Sequence, residues 1–508
     1  MKRKELNSKQ MLIINMMASA ITYVVSFFTG LFLSPYIVKN VGVDAYGFVS
    51  LADSFVSYAS LSGIALNALA GRFITIYYHK NDIEKTNRYY SSVFFANCFL
   101  SCVIFVIEAI VWVNLESIIS IPADILWDVK ILFAALFINC IVTMVGSVFT
   151  VATFATNKLY IESCRTIESQ AIRAFALLCL FSFFTPHVWY LGVTALITGI
   201  YCFGFNIRYM KLFLPELKLH KKYFDIKSVI ELVQSGVWSL INQVGALLLD
   251  GLDLLITNIF IDSMSMGMLS LAKVIPSIIR GIIGSIANVF SPNLTIYYAQ
   301  GKKEEFFRYL KQSMKIMGVL TNFPIIILVV CGKDFFRLWQ PTQNAEQLQI
   351  LSVLTISSFI INGGVNCLYS VFTILNKLKV NSIAMVVSGA ISAFITFILV
   401  KNTTLGIFAV AGTSSVITVI RNLFISIPYA ARCLGLEWTA FYKDVARPIL
   451  YFAISVLIGS VICDMITVNN WLTLMAKGFV CGIISLLVGL FVILNKSDRR
   501  VLLSKIRR

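Results

Sequence analysis

Apolar stretches long enough to cross a bilayer recur along nearly the whole chain, and no other feature restricts its fold so severely. A segment in hydrocarbon must satisfy its own backbone polar groups, so about 20 consecutive apolar residues read as a membrane-spanning α-helix. Fourteen such spans can be drawn, at about 11–33, 43–70, 90–114, 125–154, 166–184, 187–207, 229–258, 264–290, 312–331, 346–372, 382–400, 405–430, 448–466 and 471–495. The composition agrees: 58% of the 508 residues are hydrophobic and only 13% are charged, about half the charged share of a soluble domain.

The formal charge of +17 raises the question of nucleic acid, and its placement answers it. With the N-terminus on the cytoplasmic side, the inner segments hold 33 of the 42 Lys and Arg, including MKRK, LKLHKKYFDIK, GKKEEFFRYLK and KSDRRVLLSKIRR. The outer loops hold Lys39, Lys333, Arg337 and Lys401, and five more cations, Lys130, Lys273, Arg280, Arg421 and Lys477, fall in or near spans. That asymmetry is the positive-inside rule; the inner basic loops would also meet anionic headgroups. No aromatic–basic cluster or Cys/His spacing supports a nucleic-acid partner. The first span exceeds a signal-peptide core and lacks a small-residue cleavage site, so it is expected to stay in the membrane. Eleven cysteines, mostly inside spans and without a CxxC pair, read as packing residues rather than a disulfide or zinc framework. The longest outer loop is expected to be about fifteen residues, GKDFFRLWQPTQNAE.

The chain repeats itself. TIYYHKNDIEKTNRYY at residue 75 returns as TIYYAQGKKEEFFRYL at residue 295. Sliding residues 47–90 by 220 positions gives 12 identities in 44 ungapped pairs, among them Gly47/Gly267, Ser57/Ser277, Glu84/Glu304 and Arg88/Arg308. Membrane helices resemble one another through shared composition, but hydrophobic bias cannot match the charged loops. Six spans separate equivalent points, an even number, so both copies enter the membrane in the same direction as parallel repeats. The expected fold is an all-α integral membrane protein with two parallel six-helix lobes, related by a pseudo-two-fold axis along the membrane normal, plus a C-terminal helix pair. The expected divisions are an N-lobe at 1–210, a basic linker at 211–228, a C-lobe at 229–431, and the last pair with its basic tail at 432–508.

SPYIVKNVGVDAYGFVSLADSF, LVQSGVWSLINQVGALLLDGLDLLIT and FSPNLTIYYAQGKKEEFFRYL resemble the corresponding segments of polysaccharide-transport flippases. These belong to the multidrug/oligosaccharidyl-lipid/polysaccharide superfamily, together with lipid II flippases and drug antiporters. The resemblance covers essentially the whole chain, and its specificity lies in the set of segments rather than in any one. It implies a bacterial inner-membrane protein with cytoplasmic termini that flips an undecaprenyl-pyrophosphate-linked sugar unit by alternating access through a cationic cavity, without ATP hydrolysis or a cofactor. Its implied partners are the lipid-linked glycan, membrane lipids, Na⁺ or H⁺, and polysaccharide polymerase and chain-length regulator proteins.

Ionisable residues inside spans cost roughly 2.5–3.5 kcal/mol each on insertion scales and usually face the bundle interior. Lys273 and Arg280 lie seven residues, about two turns, apart on one face of the eighth span. They suit a pyrophosphate, Arg as a two-pronged donor and Lys as a point charge; structural ion pairing is the competing reading. In the seventh span, Gln243, Asp250 and Asp253 mark one polar stripe. Asp250 falls at the depth of Lys273, which favours a salt bridge between consecutive helices; the two carboxylates alternatively suit Na⁺ or a shared proton. Shifted by 220, Asp53 lands on Lys273, so a gate closing through that pair is a further reading. Arg72 either snorkels to the inner headgroups or guides a lipid phosphate. Arg421, well inside the twelfth span, is a candidate second-lobe phosphate or sugar contact. Glu108 has no obvious partner in the third span, and Pro276 either kinks its helix for rocking or is an ordinary membrane-helix proline. His79, His187 and His220 are scattered and suggest no metal site.

No paired catalytic carboxylates, nucleotide loop or nucleophile triad are visible, which argues against a membrane glycosyltransferase or polymerase. A drug or cation antiporter would favour an acidic or aromatic cavity; a lipid II flippase would share the architecture and differ in its sugar.

Overall fold

The computed structural model describes residues 8–375 and 377–493. The described residues are helical throughout with short connections and no strand. Fourteen helical stretches are long and apolar enough to cross a membrane: Met17–Val41, Val43–His79, Ile83–Val113, Ala123–Ala155, Leu159–Phe183, Trp189–Phe213, Ile226–Phe260, Ser263–Gly284, Lys303–Trp339, Ala345–Ile374, Leu378–Asn402, Ile407–Cys433, Tyr442–Cys463 and Trp471–Val492. They are called spans 1 to 14 below. The terminal runs MKRK and KSDRRVLLSKIRR lie outside the described residues.

Several helices outrun the apolar cores that announce them. Span 9, expected at 312–331, runs from Lys303 to Trp339, because amphipathic turns continue it at both ends. The expected fifteen-residue outer loop is thereby corrected: most of it is helix, and residues 340–344 alone connect spans 9 and 10. Large apolar side chains stay exposed along the spans, such as Phe175 and Val461, as a hydrocarbon-facing surface requires. All eleven cysteines are free thiols.

The repeat is built into the helix boundaries. Val43–His79 and Ser263–Ala299 are both 37 residues long and begin and end 220 positions apart; the next helices start at Ile83 and Lys303, again 220 apart. The doubled TIYY supplies the carbonyls that end each helix. Asn81 N–H donates to Tyr78 O and Asp82 N–H to Tyr77 O, and the equivalent pairs are Gly301 to Tyr298 and Lys302 to Tyr297, all at 3.0–3.1 Å. This is a Schellman turn, whose exit residue takes a left-handed conformation. Asn81 (φ 58°) and Gly301 (φ 70°) provide it, Asn and Gly being the residues that tolerate it best.

Packing gathers the chain into two units. One comprises the described residues up to Leu247 with Leu254–Ser270; the other comprises Leu248–Asp253 with the residues from Leu271 onward. In the first unit, span 4 packs along span 6, span 1 along span 5, and span 2 against spans 3 and 7. Also within it, residues equivalent by the repeat meet each other. A Cβ at Gly47 would stand 2.8 Å from Gly267 Cα, and one turn on, Ser270 donates a hydrogen bond to Ser50. In the second unit, span 9 packs against spans 10, 13 and 14, and span 11 against span 12.

Candidate functional site

The second unit holds a cluster of intramembrane charges. Span 7 is interrupted by a π-helical turn, Leu247–Gly251, which contains Asp250; Asp253 opens the α-helix that follows. An inserted π residue rotates everything after it, so the plain α-helical stripe expected of these side chains is re-aimed. Lys273 Nζ is 2.5 Å from Asp253 Oδ2 and 3.1 Å from the carbonyl oxygen of Asp250. Arg280 pairs with Asp250 at 3.0 Å. The bridge between consecutive helices therefore exists, but its side-chain partners differ from the Asp250–Lys273 pairing that depth suggested: Lys273 takes Asp253, and Asp250 is left to the longer reach of Arg280.

The two pairs differ in character. Lys273 and Asp253 are 20% and 6% exposed at the side chain, Arg280 and Asp250 28% and 41%. The Arg280 guanidinium also donates to Thr355 O at 3.1 Å, lies 5.5 Å from the Phe359 ring centroid, and keeps Nε free of any hydrogen-bond partner among the described residues. A pair this open, with donor capacity to spare, can give its guanidinium to a competing anion. Pro276 is buried between the two cations and the helix continues through it, Ser263–Ala299.

Arg421 is of another kind. It is buried at 5% exposure and sits at the last turn before a second π-helical stretch, Asn422–Ser426. Its guanidinium reaches Tyr369 Oη at 3.3 Å and the sulfur of Met385, and Tyr369 in turn donates to Asn422 at 2.8 Å. No carboxylate pairs with it among the described residues. Π turns are frequent at functional sites, and each one here contains or directly follows a candidate charge. Arg280 and Arg421 touch span 10 at Phe359 and Tyr369, ten residues or about 15 Å of helix apart.

In the first unit, Asp53 is exposed and the cation whose charge bears on it is Arg173. Arg173 lies in the middle of span 5 with Nε unpartnered among the described residues. The count of 33 inner cations placed it with the inner segments; its position inside the expected span 166–184 was the signal available. Arg72 and Gln243 are exposed. Glu108 is buried, and neither of its carboxylate oxygens finds a donor among the described residues. The histidines have local roles: His79 bonds the Ala155 carbonyl, His187 pairs with Asp128, and His220 accepts from the Lys222 amide.

A fourteen-span fold built on a parallel repeat, with charged groups gathered at helix breaks inside the membrane, defines a multi-pass transporter-type protein. Solved structures share this fold. The lipid II flippase MurJ in an inward closed conformation superposes with a TM-score of 0.72 at 15% identity, covering 94% of this chain and 98% of that one. An inward-facing multidrug resistance MATE transporter of the MOP superfamily gives 0.63 at 11% identity, covering 83% and 98%. The membrane protein EpsK of Bacillus subtilis (strain 168), itself uncharacterized, is 24% identical over 495 residues, 97% of this chain and 98% of the relative. The profile of the polysaccharide biosynthesis protein family matches residues 8–297, and this chain belongs to that family.

Proposed function

We propose that this protein is a flippase that carries an undecaprenyl-pyrophosphate-linked oligosaccharide unit across the bacterial cytoplasmic membrane for surface polysaccharide assembly. One observation carries the reading: Arg421 is a buried cation with no carboxylate partner among the described residues. A buried charge left unpaired is costly, and a phosphate or acidic sugar in transit is the partner this site lacks. Lys273 and Arg280 are matched one for one by Asp253 and Asp250, which leaves Arg421 as the unmatched cation. Arg280 is the first phosphate ligand, released from Asp250 by the competing pyrophosphate and binding it with two N–H groups. Arg421, about 15 Å further along span 10, meets the substrate at another stage or at its sugar.

The chemistry is transport by alternating access between the two repeats, with both termini cytoplasmic on the charge distribution. Asp53 and Lys273 are equivalent by the 220-residue repeat, and the closing-gate reading rests on that equivalence. Reversing either charge should stop transport, and reversing both should restore it; absence of rescue sinks the gate. The carrier's identity is tested in liposomes with a fluorescent undecaprenyl-pyrophosphate oligosaccharide. Arg280→Ala and Arg421→Ala, checked for folding, should each slow its appearance in the opposite leaflet at least tenfold. Unaffected flipping discards the site, and export of a cationic drug in place of the glycolipid overturns the function.

A further inference from the structure

Outside the charged cluster the first unit contains an apolar groove of about 820 Å³ between spans 2, 3 and 7. Leu66, Phe95, Phe99, Phe224 and Val229 line it, and Ser62 and Lys221 are the polar exceptions. Phe99, Phe224 and Ile226 are exposed along it, so it opens to the surroundings rather than enclosing a void. Its walls are fixed. At Gly236 a Cβ would stand 2.0 Å from the Ala65 carbonyl oxygen, which holds the backbones of spans 2 and 7 together beneath it.

The basic linker is equally fixed, although its composition suggests a loose loop. Three buried residues on span 3 pin it: Asn87 accepts from Lys218 N–H at 2.8 Å, Ser91 donates to Lys218 O at 3.3 Å, and Ser92 accepts from Asp225 N–H at 2.8 Å. The effect is to set the exposed Lys221 on the rim of the groove at the end where span 7 begins. An apolar channel ending in a single ammonium group is complementary to one hydrocarbon chain ending in one anion.

We infer that this groove receives the polyprenyl chain of the lipid-linked substrate, with its phosphate at Lys221, before the headgroup enters the transport path. The inference rests on the flippase reading for the identity of its ligand. The volume lies within the range of about 300–1,000 Å³ typical of small-molecule sites.

The full-length protein in nanodiscs would be photolabelled with polyprenyl phosphate carrying a diazirine in its chain, and separately with a phosphatidylglycerol carrying the same group. The peptide containing Phe95 and Phe99 should be labelled by the polyprenyl probe at least fivefold more than by the phospholipid. Unlabelled polyprenyl phosphate should compete. Ala96→Trp, which fills the groove, and Lys221→Glu, on its exposed rim, should each cut the labelling at least threefold; the second variant decides the matter where the first fails to fold. Equal labelling by both lipids, or labelling indifferent to Lys221→Glu, overturns the groove. Because occupancy is read without transport, labelling in a protein that does not flip the glycolipid sinks the flippase reading and keeps the groove. Flipping without labelling sinks the groove alone.

Discussion

Asp253 is buried and Lys273 largely so, and removing one leaves the other as an uncompensated charge. Breaking such a pair costs about 3–5 kcal/mol. Asp253→Ala should therefore markedly lower the thermal unfolding midpoint in detergent, and adding Lys273→Ala should recover part of the loss. The Arg280–Asp250 pair is the more exposed of the two, so breaking it should cost less than breaking the buried pair. Asp250→Asn should cost less stability than Asp253→Ala. It should tighten binding of an undecaprenyl-pyrophosphate probe by freeing the guanidinium, a change equilibrium fluorescence titration would read. Weaker binding would place Asp250 among the ligand's own contacts. The candidates Lys273, Arg280, Asp250 and Asp253 were legible as charges in apolar spans, yet their pairing was not, since one π turn re-aims both carboxylates.

At the scale of the element, ends and interruptions decide most. Asp225 caps span 7, its carboxylate accepting from the Lys227 amide at 3.1 Å and from the Ser228 hydroxyl at 2.9 Å. The Ser228 hydroxyl is the main cause holding its pKa below the ordinary 3.8. A lowered folded-state pKa means the cap's contribution is complete above about pH 4 and is lost as pH falls through the depressed value. Asp225→Ala should cost about 1 kcal/mol at neutral pH and progressively less in acid, which melting curves across pH would show. At the repeated turn, Gly301→Val forces a β-branched residue to φ 70° and should cost about 1–2 kcal/mol. Asn81→Gly at the equivalent position should be tolerated, and equal losses at both sites would separate the two turns. The spans were readable because apolar length is a local property. Their true ends were not, because amphipathic turns such as Lys303–Leu310 carry a helix beyond its apolar core.

For the whole molecule, the charge asymmetry predicts a definite topology. A cysteine replacing Lys221 should react with a membrane-impermeant reagent from the cytoplasmic side alone, and one replacing Gln343 from the outer side alone. Labelling from the opposite sides would invert the protein and with it the direction of transport. The 220-residue period was visible as matching letters, and helix boundaries keep it to the residue at Val43/Ser263 and Ile83/Lys303.

The sequence by itself determined the all-helical membrane class, the number of spans, the duplication and the residue types able to hold a phosphate. Each of these follows from composition or spacing along one strand of chain. Tertiary structure alone decided that Lys273 takes Asp253, that Arg421 is buried with no carboxylate partner among the described residues, that Arg173 bears on Asp53, and that a pinned linker sets Lys221 on an apolar groove. Those facts depend on helix rotation and on side chains more than a hundred residues apart, which no local pattern encodes.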